Sequence, residues 1–427
     1  MVRKELLPVG LVAALLMTGC AEGAPGVGED TMIRSNKPLE RVELTGATSN
    51  ADIVAANRVL GLNLLKGSSE TLVISPASLS VALSMLGTSA EGELEDELTE
   101  LLGGNGEVRD QVMNAAMGSL RKYDKDISKL NLDDLPDEPT VHFANQVVLD
   151  DEFTPKDSYL DNLASWYDAG VLEADLSSGA SKKLLDEWVE YHTAGLIKES
   201  AFEPSDSARF VLQNAVLFAG RWQTPFDTDL TDTDTFTLED GERLERDFMK
   251  DERGEKYAEA DGWAMLELPY DDRLVARFVL PPKGTPVSSV TTKTLGELEE
   301  TLEVPLAGVD MKLPLIEAEN SIELIKPLER LGLAAPFTDA GDPLAHILPD
   351  NGLFVSQITQ QVKLEVTEDK TVAAAVTELG LDAAAGPDDE EEVKYFHADR
   401  PFIMTITDKE TNLDLFMSVI HDPITKN

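Results

Sequence analysis

The sequence predicts an α+β protein in a single domain, with helices packed on large mixed or antiparallel β-sheets. Three observations predict it. Apolar residues recur at helical spacing just after position 50, long strand-type runs dominate beyond position 200, and those strands adjoin turns more often than helices. No repeat and no long low-complexity linker interrupts residues 50–425, so one domain is expected over 49–427.

In chain order, Arg3 and Lys4 precede an apolar run over 6–17 that is too short to span a bilayer as a helix. Met17, Thr18 and Gly19 then lead into Cys20, the one cysteine of the chain. Small residues before a lone cysteine resemble a bacterial lipobox. The expectation is a signal peptide over 1–19 and a diacylated Cys20 as the mature N-terminus. An ordinary secretory signal with an incidental cysteine is the alternative. The protein would then be extracytoplasmic. It would be secreted or lipid-anchored to the cell envelope, the outer membrane foremost because Ala21 lacks the Asp that resembles an inner-membrane signal. A single thiol also excludes an internal disulfide and a Cys-rich zinc site.

Residues 20–48, with Gly23, Pro25, Gly26 and Gly28, read as a flexible tether. Ile53, Val54, Asn57, Leu60, Leu64 and Leu65 predict the first helix. A second starts at Ser75-Pro76, with Ser as cap and Pro in the first turn, and a third covers 91–102 before Gly103. The run 210–218 suits a strand buried on both faces, and 236–244 centres on Asp240-Gly241, a hairpin turn. A strand over 274–280 ends at Pro281-Pro282. Strands over 401–407 and 413–420 are joined by a turn at 408–412.

Composition narrows the function. Lys and Arg number 36 against 80 Asp and Glu, a formal charge of −44, which argues against nucleic acid and against anionic membrane surfaces as partners. Hydrophobic residues at 42% support a large core, so a disordered acidic tail is excluded as the main reading. The five histidines, His142, His192, His346, His397 and His421, are scattered. No metal-binding, nucleophile-elbow or phosphate-loop motif is found. Asp227, Asp229, Asp232 and Asp234 lack the Gly and distal Glu of a calcium loop. No metal, no cofactor and no enzymatic activity are expected.

The informative segment is 360–386. Val362, Leu364 and Val366 alternate with Lys363 and Glu365 as in a half-buried strand. After the polar 367–370, alternation resumes: Thr371, Ala373, Ala375, Thr377, Leu379 and Leu381 form an uncharged face. Val372, Ala374, Val376, Glu378, Gly380 and Asp382 form the other. The segment could join a sheet as an added strand, although its alanines also favour helix. The flanks, Pro387 and the acidic run 388–392, look like exposed loop.

Several stretches in order resemble the serpin family over roughly 50–423. They are Ile74, Ser75, Pro76, Ser78, Ala82 and Leu83; Trp188, Val189, Thr193, Gly195 and Ile197; and Asn214, Ala215, Phe218, Gly220, Trp222 and Phe226. Leu313-Pro314, Leu331-Gly332, Phe337, Asp399 through Phe402, Leu415-Phe416 and Pro423 follow. The resemblance implies a reactive loop at about 368–393 offered as bait to a serine protease. After the protease acylates itself on the loop, the loop's first part inserts into the main sheet and traps the enzyme covalently. The implied hinge is Glu368, Asp369, Lys370, Thr371, Val372, Ala373, Ala374 and Ala375. Insertion would bury the uncharged face, where each Leu contributes roughly 1.5–3 kcal/mol, whereas an unpaired charge would cost more than both.

Two positions depart from the family pattern. Lys370 replaces a Gly, which matters if that position needs positive φ, and Val372 replaces an acid but would face outward. They imply a slower inhibitor, and they keep open a non-inhibitory member acting as a binding protein on the envelope. The implied scissile bond is Ala384–Ala385, with Leu381 and Ala383 as alternatives. A small residue before the cut suits elastase- or subtilisin-like proteases. The family's buried cluster under the sheet opening is matched by Ser75 and Ser78, with Asp186 and Gln360 at the other two positions and the Gln360 amide expected to donate to Asp186. The protein is expected to act as a monomer.

Overall fold

The computed structural model describes residues 32–43, 51–348, 353–371 and 393–425. Cys20, and the proposed bait from Val372 through Ala384 and Ala385, lie outside the described residues.

The expected helices form. α1 (Ala51–Leu65) buries Ile53, Leu60, Leu62 and Leu65. α2 (Pro76–Gly87) starts as its Ser-Pro pair predicts, with the Ser75 hydroxyl accepting from the Ser78 amide, and every residue of it is buried. α3 (Glu93–Leu102) begins two residues later than expected. It packs Leu94, Leu98 and Leu102 inward and ends at Gly103, whose φ of +82° closes the helix in the left-handed region. α4 (Gly106–Leu120), α5 (Asp157–Tyr167), α6 (Gly179–His192), α7 (Thr292–Glu300) and α8 (Ile325–Arg330) complete the described helices.

The largest sheet has seven strands. From edge to edge they are β1 (Met32–Ile33), β4 (Val171–Ala174), β3 (Thr140–Asp150), β5 (Phe210–Arg221), β14 (Lys370–Thr371), β13 (Gln357–Val366) and β12 (Ile316–Glu323). A second sheet runs β2 (Leu72–Ile74), β17 (Leu413–Ile420), β16 (Phe402–Asp408), β10 (Leu274–Leu280), β9 (Trp263–Pro269), β8 (Lys256–Ala260). A third runs β15 (Lys394–His397), β11 (Val309–Pro314), β7 (Arg243–Arg253), β6 (Asp232–Thr237). The expected 236–244 hairpin joins β6 to β7 through Gly241 at φ +90°. The expected C-terminal hairpin joins β16 to β17.

One core lies between the first two sheets and unites Val362, Leu364 and Val366 of β13, Phe218 of β5, Phe278 of β10 and Phe416 of β17. Another packs α2, α3, α4 and α5 against the opposite end of the large sheet, through Leu83, Leu98, Val112, Leu163, Phe210 and Ile358. The large sheet is thus packed on both of these cores, while its middle contains an irregularity between β5 and β13.

Gly103 also sits where the chain leaves no room: a Cβ there would lie 2.5 Å from the Asp52 carbonyl oxygen. Gly103→Ala is expected to lower stability by about 2 kcal/mol or more, from left-handed strain plus the clash, read as a lower denaturant midpoint with an unchanged slope.

Candidate functional site: an open seam in the large sheet

β5 and β13 are neighbours that scarcely pair. They form a parallel ladder at two positions, Gln357↔Val211 and Ile358↔Leu212. At the other end the two-residue β14 is wedged between them, with Lys370↔Arg221 and Thr371↔Gly220 on β5 and Thr371↔Val366 on β13. Between these closures, residues 213–219 of β5 and 359–365 of β13 share no ladder pair among the described residues. At about 3.3 Å per residue the unpaired stretch is some 23 Å long. A cavity of about 20 Å³ lies in it directly beside Thr371, between Val216 to Phe218 and Lys363 and Leu364.

Local contacts fix the wedge. Trp222 donates its ring N–H to the Thr367 carbonyl at 2.9 Å and its amide to the Asp369 carbonyl at 3.1 Å, and the Phe226 amide bonds the Glu368 carbonyl at 2.7 Å. The Thr231 hydroxyl donates to the Glu368 carboxylate at 2.7 Å. Thr371, 1% exposed, shares a hydrogen bond of 2.6 Å with the Tyr270 hydroxyl, and Tyr270 stacks on Trp222 at 4.7 Å. Burial pushes the Tyr270 phenol far above its ordinary range, so it stays a hydroxyl. Thr371 therefore points inward, as the alternation predicts for the first residue of the uncharged face. The rest of that face, with Val372, Ala373, Ala374 and Ala375, lies outside the described residues.

Lys370 resolves one sequence concern. It is a strand residue without positive φ, so its place does not require glycine. Its side chain is 2% exposed and its ammonium donates to the Leu132 carbonyl at 3.3 Å. Burial lowers the ammonium pKa, and the nearby Glu365, Asp369 and Asp133 act in the opposite direction. The acidic loop that supplies Leu132 is itself tied to β5, through Arg221 with Asp134 at 3.5 Å and Asp137 at 3.7 Å.

At mid-seam the structure unites Ser75, Ser78 and Gln360 and corrects the fourth member. The Gln360 carbonyl oxygen accepts from the Ser75 amide at 2.9 Å, and its amide nitrogen donates to the Ser75 carbonyl at 3.0 Å. The Ser75 hydroxyl donates to the Leu415 carbonyl at 2.6 Å and accepts from the Ser78 amide at 3.2 Å. All three side chains are buried. Asp186 is elsewhere, on α6, where it accepts from the Lys182 ammonium at 2.6 Å and the Ser200 amide at 2.7 Å. The expected Gln360–Asp186 hydrogen bond is not formed, because helix α6 presents that carboxylate to its own following loop. Carrying the β5–β13 register two places beyond Ile358↔Leu212 brings the level of Gln360 to Asn214, not Asp186.

The sequence reading missed a strap. The loop after α6 crosses the seam and is bonded to the outer face of β13. Gln361 accepts from the Ala201 amide at 2.7 Å and donates to the Glu199 carbonyl at 2.9 Å, and Gln357 donates to the Ala201 carbonyl at 3.1 Å. Outward glutamines at every fourth position of a strand were the available signal.

The next described strand after β14 is β15 of another sheet, which runs parallel to β11 from Val309↔Lys394. Thr371 at the seam and Lys394 in that other sheet are 23 residues apart along the chain.

Comparisons agree with this architecture. The model of the family described as "Serpin (serine protease inhibitor)" matches residues 55–423. An uncharacterized serpin-like protein of Methanosarcina mazei is 24% identical over 100% of both chains. Serpin-Z2A of Triticum aestivum is 30% identical, covering 84% of this chain and 92% of its own. Among solved structures, the thermophilic serpin tengpin in its native state has a TM-score of 0.76 at 23% identity, over 91% of this chain and 97% of that one, a likeness of fold.

Gln360→Met keeps the side-chain volume but leaves the buried Ser75 amide without its acceptor. The expected loss is about 1–3 kcal/mol, measured as a lower unfolding midpoint, with a smaller loss in Gln361→Met because that side chain is nearer solvent.

Proposed function

The chain belongs to the serpin family, and on that premise we propose that it is a suicide-substrate inhibitor of serine proteases with elastase- or subtilisin-like specificity. One observation carries the reading: Lys370, which closes the turn 367–370, and Thr371 after it already sit as a strand at the mouth of an unpaired seam.

The chemistry begins on the protease. Its serine hydroxyl attacks the Ala384 carbonyl, the Ala384–Ala385 bond breaks, the new amine of Ala385 leaves, and an ester joins the protease to Ala384. Strand addition to a sheet is the family's mode of trapping; this chain contributes the place and the energetics. Cleavage frees the segment from its tie to β15, and residues from Val372 onward can extend β14 along the seven open positions of β5 and β13. Each new ladder bond contributes about 0.5–1.5 kcal/mol net, so some fourteen bonds along both sides are worth on the order of 10 kcal/mol. The uncharged face then turns inward, beside Thr371. The acyl-enzyme travels with the strand, away from the geometry its deacylation needs.

Two experiments test this. Incubation with pancreatic elastase or subtilisin is expected to yield a complex that survives SDS, with the new N-terminus at Ala385 by mass. A chain nicked at that bond is expected to melt well above the intact one. A chain that is cut without complex and without gain in melting temperature acts instead as a non-inhibitory binding protein.

Because Lys370 nucleates the wedge, Lys370→Gly is expected to weaken insertion relative to deacylation. More inhibitor should be consumed per protease trapped, by about two- to fivefold, the size of a 0.5–1 kcal/mol glycine penalty in a strand. An unchanged stoichiometry would show that Lys370 has no such role.

A further inference from the structure

Where the chain enters β15, the third sheet presents an apolar patch. Val304, Leu306 and Tyr395 are 55, 89 and 60% exposed, whereas the other large exposed hydrophobics, Val59, Val108 and Leu230, lie on α1, on α4 and just before β6. The register brings the three together. Tyr395 stands opposite Asp310 of β11, and Asp310 stands opposite Glu252 of β7, so one row crosses the outer face of the sheet. One row further, Gly308 meets Gly254: a Cβ on Gly308 would lie 3.9 Å from the Gly254 nitrogen. A Cβ on Gly254 would lie 3.4 Å from Val304 Cγ1 and meet nothing else within 4 Å. The ground between Val304 and Tyr395 is therefore bare backbone, a shallow dip flanked by apolar side chains.

A tight turn places Leu306 there. The Gly308 amide bonds the Pro305 carbonyl at 3.1 Å, which puts Leu306 and Ala307 at the two corners, and Gly308 closes the turn at φ +82°. Turn corners favour small or polar residues, and a leucine at one exposes apolar surface to water. The Gly308 carbonyl also accepts from the Lys394 amide at 3.2 Å. The turn is thus hydrogen-bonded to the first residue of the strand that follows the proposed reactive loop. Acidic side chains border the patch. Glu252 and Glu303 are exposed, Asp310 engages His397 at 3.0 Å, and Glu259 faces Lys394 at 3.8 Å.

We propose that this patch is a second contact for the body of the target protease, and that it fits an enzyme with an apolar spot bordered by Lys and Arg beside its catalytic cleft. The proposal rests on the reading of 368–393 as bait and names a further determinant of the partner. Two observations select this occupant. Ala385 precedes Lys394 by nine residues, a span of at most about 30 Å in any conformation. A protease domain of ordinary size is itself roughly 40 Å across, so an enzyme closed on that bond lies within reach of the patch. The acidic border, in a chain of charge −44, complements a basic partner. Contact of this kind prolongs the encounter before the bond is attacked. It acts on how fast the complex forms and leaves untouched the later competition between strand insertion and deacylation.

The test uses the intact chain with pancreatic elastase and subtilisin. It measures the second-order rate constant of complex formation and, separately, the inhibitor consumed per protease trapped. Leu306→Asp is expected to slow complex formation with the faster of the two enzymes about tenfold, the order for losing one buried aliphatic side chain. Stoichiometry and melting temperature should not change. Tyr395→Ala should slow it in the same direction, and Val59→Asp, on α1, should leave the rate unaltered. An unaltered rate in both Leu306→Asp and Tyr395→Ala, an equal slowing in Val59→Asp, or a raised stoichiometry in place of slower association would each overturn the proposal and leave the bait reading intact. Sedimentation that finds a dimer in the unaltered chain and a monomer in Leu306→Asp would overturn it in favour of a second copy of this chain. An unaltered chain that forms no complex with either enzyme overturns both readings.

Discussion

The near-absence of pairing between β5 and β13 governs the rest of the molecule. Two adjacent strands of a central sheet normally exchange hydrogen bonds along their whole length, because an unpaired backbone group inside a protein costs more than a typical contact returns. Here they meet at Gln357 and Ile358 and are kept apart at the other end by Thr371. A sheet built this way has seven positions on each of two neighbouring strands with no ladder partner across the seam among the described residues, and the sequence that follows its mouth has the alternation of a strand. In the proposed function the unpaired seam matters more than any single side chain, and the polar groups of the region act as structural clamps.

The clamps divide into those that hold the wedge in and those that hold the seam shut. Trp222, Phe226, Thr231 and Tyr270 fix the turn at 367–370 and Thr371. Gln360 ties β13 to the start of α2 through both atoms of its amide, and Gln357 and Gln361 tie its outer face to the loop after α6. Lys370 belongs to the first group: glycine at its position would supply freedom that the observed strand conformation does not use.

Local features of the fold were legible where short-range chemistry decides them. The Ser75-Pro76 start, the Gly241 hairpin and the 274–280 strand all form where the residues place them. α4 was not legible because its buried face carries Arg109, Asp110 and Asn114, which hide an apolar stripe. Each is bonded in three dimensions, Asp110 by Thr88 and Tyr167 and Arg109 through its terminal nitrogens by Glu95 and Gly87, while the Arg109 Nε–H has no partner among the described residues. α6 was not legible because it lies on the sheet and buries four side chains. In the site, Thr371 and the alternation of β13 could be read from residue pattern. Asp186 could not be judged, since which residue stands opposite Gln360 depends on the register of strands nearly 150 residues apart.

That register also explains why a vacancy can persist. Filling it requires β5 to move from β13 by about one strand spacing, 4.7–4.9 Å, at the end where they now touch. The pairs at Gln357 and Ile358 and the Gln357 and Gln361 bonds to the α6 loop must break before the new ladder is complete. Several bonds are therefore lost early and a larger number is gained late, which is the condition for a barrier between two folded states. In the proposed mechanism the segment between β14 and β15 is tethered at both ends, at Thr371 and at Lys394, and the second tether opposes insertion. On the proposed reading, cutting the segment would remove that second constraint and leave the first, so the covalent event performed by a protease would be the one that lowers the barrier.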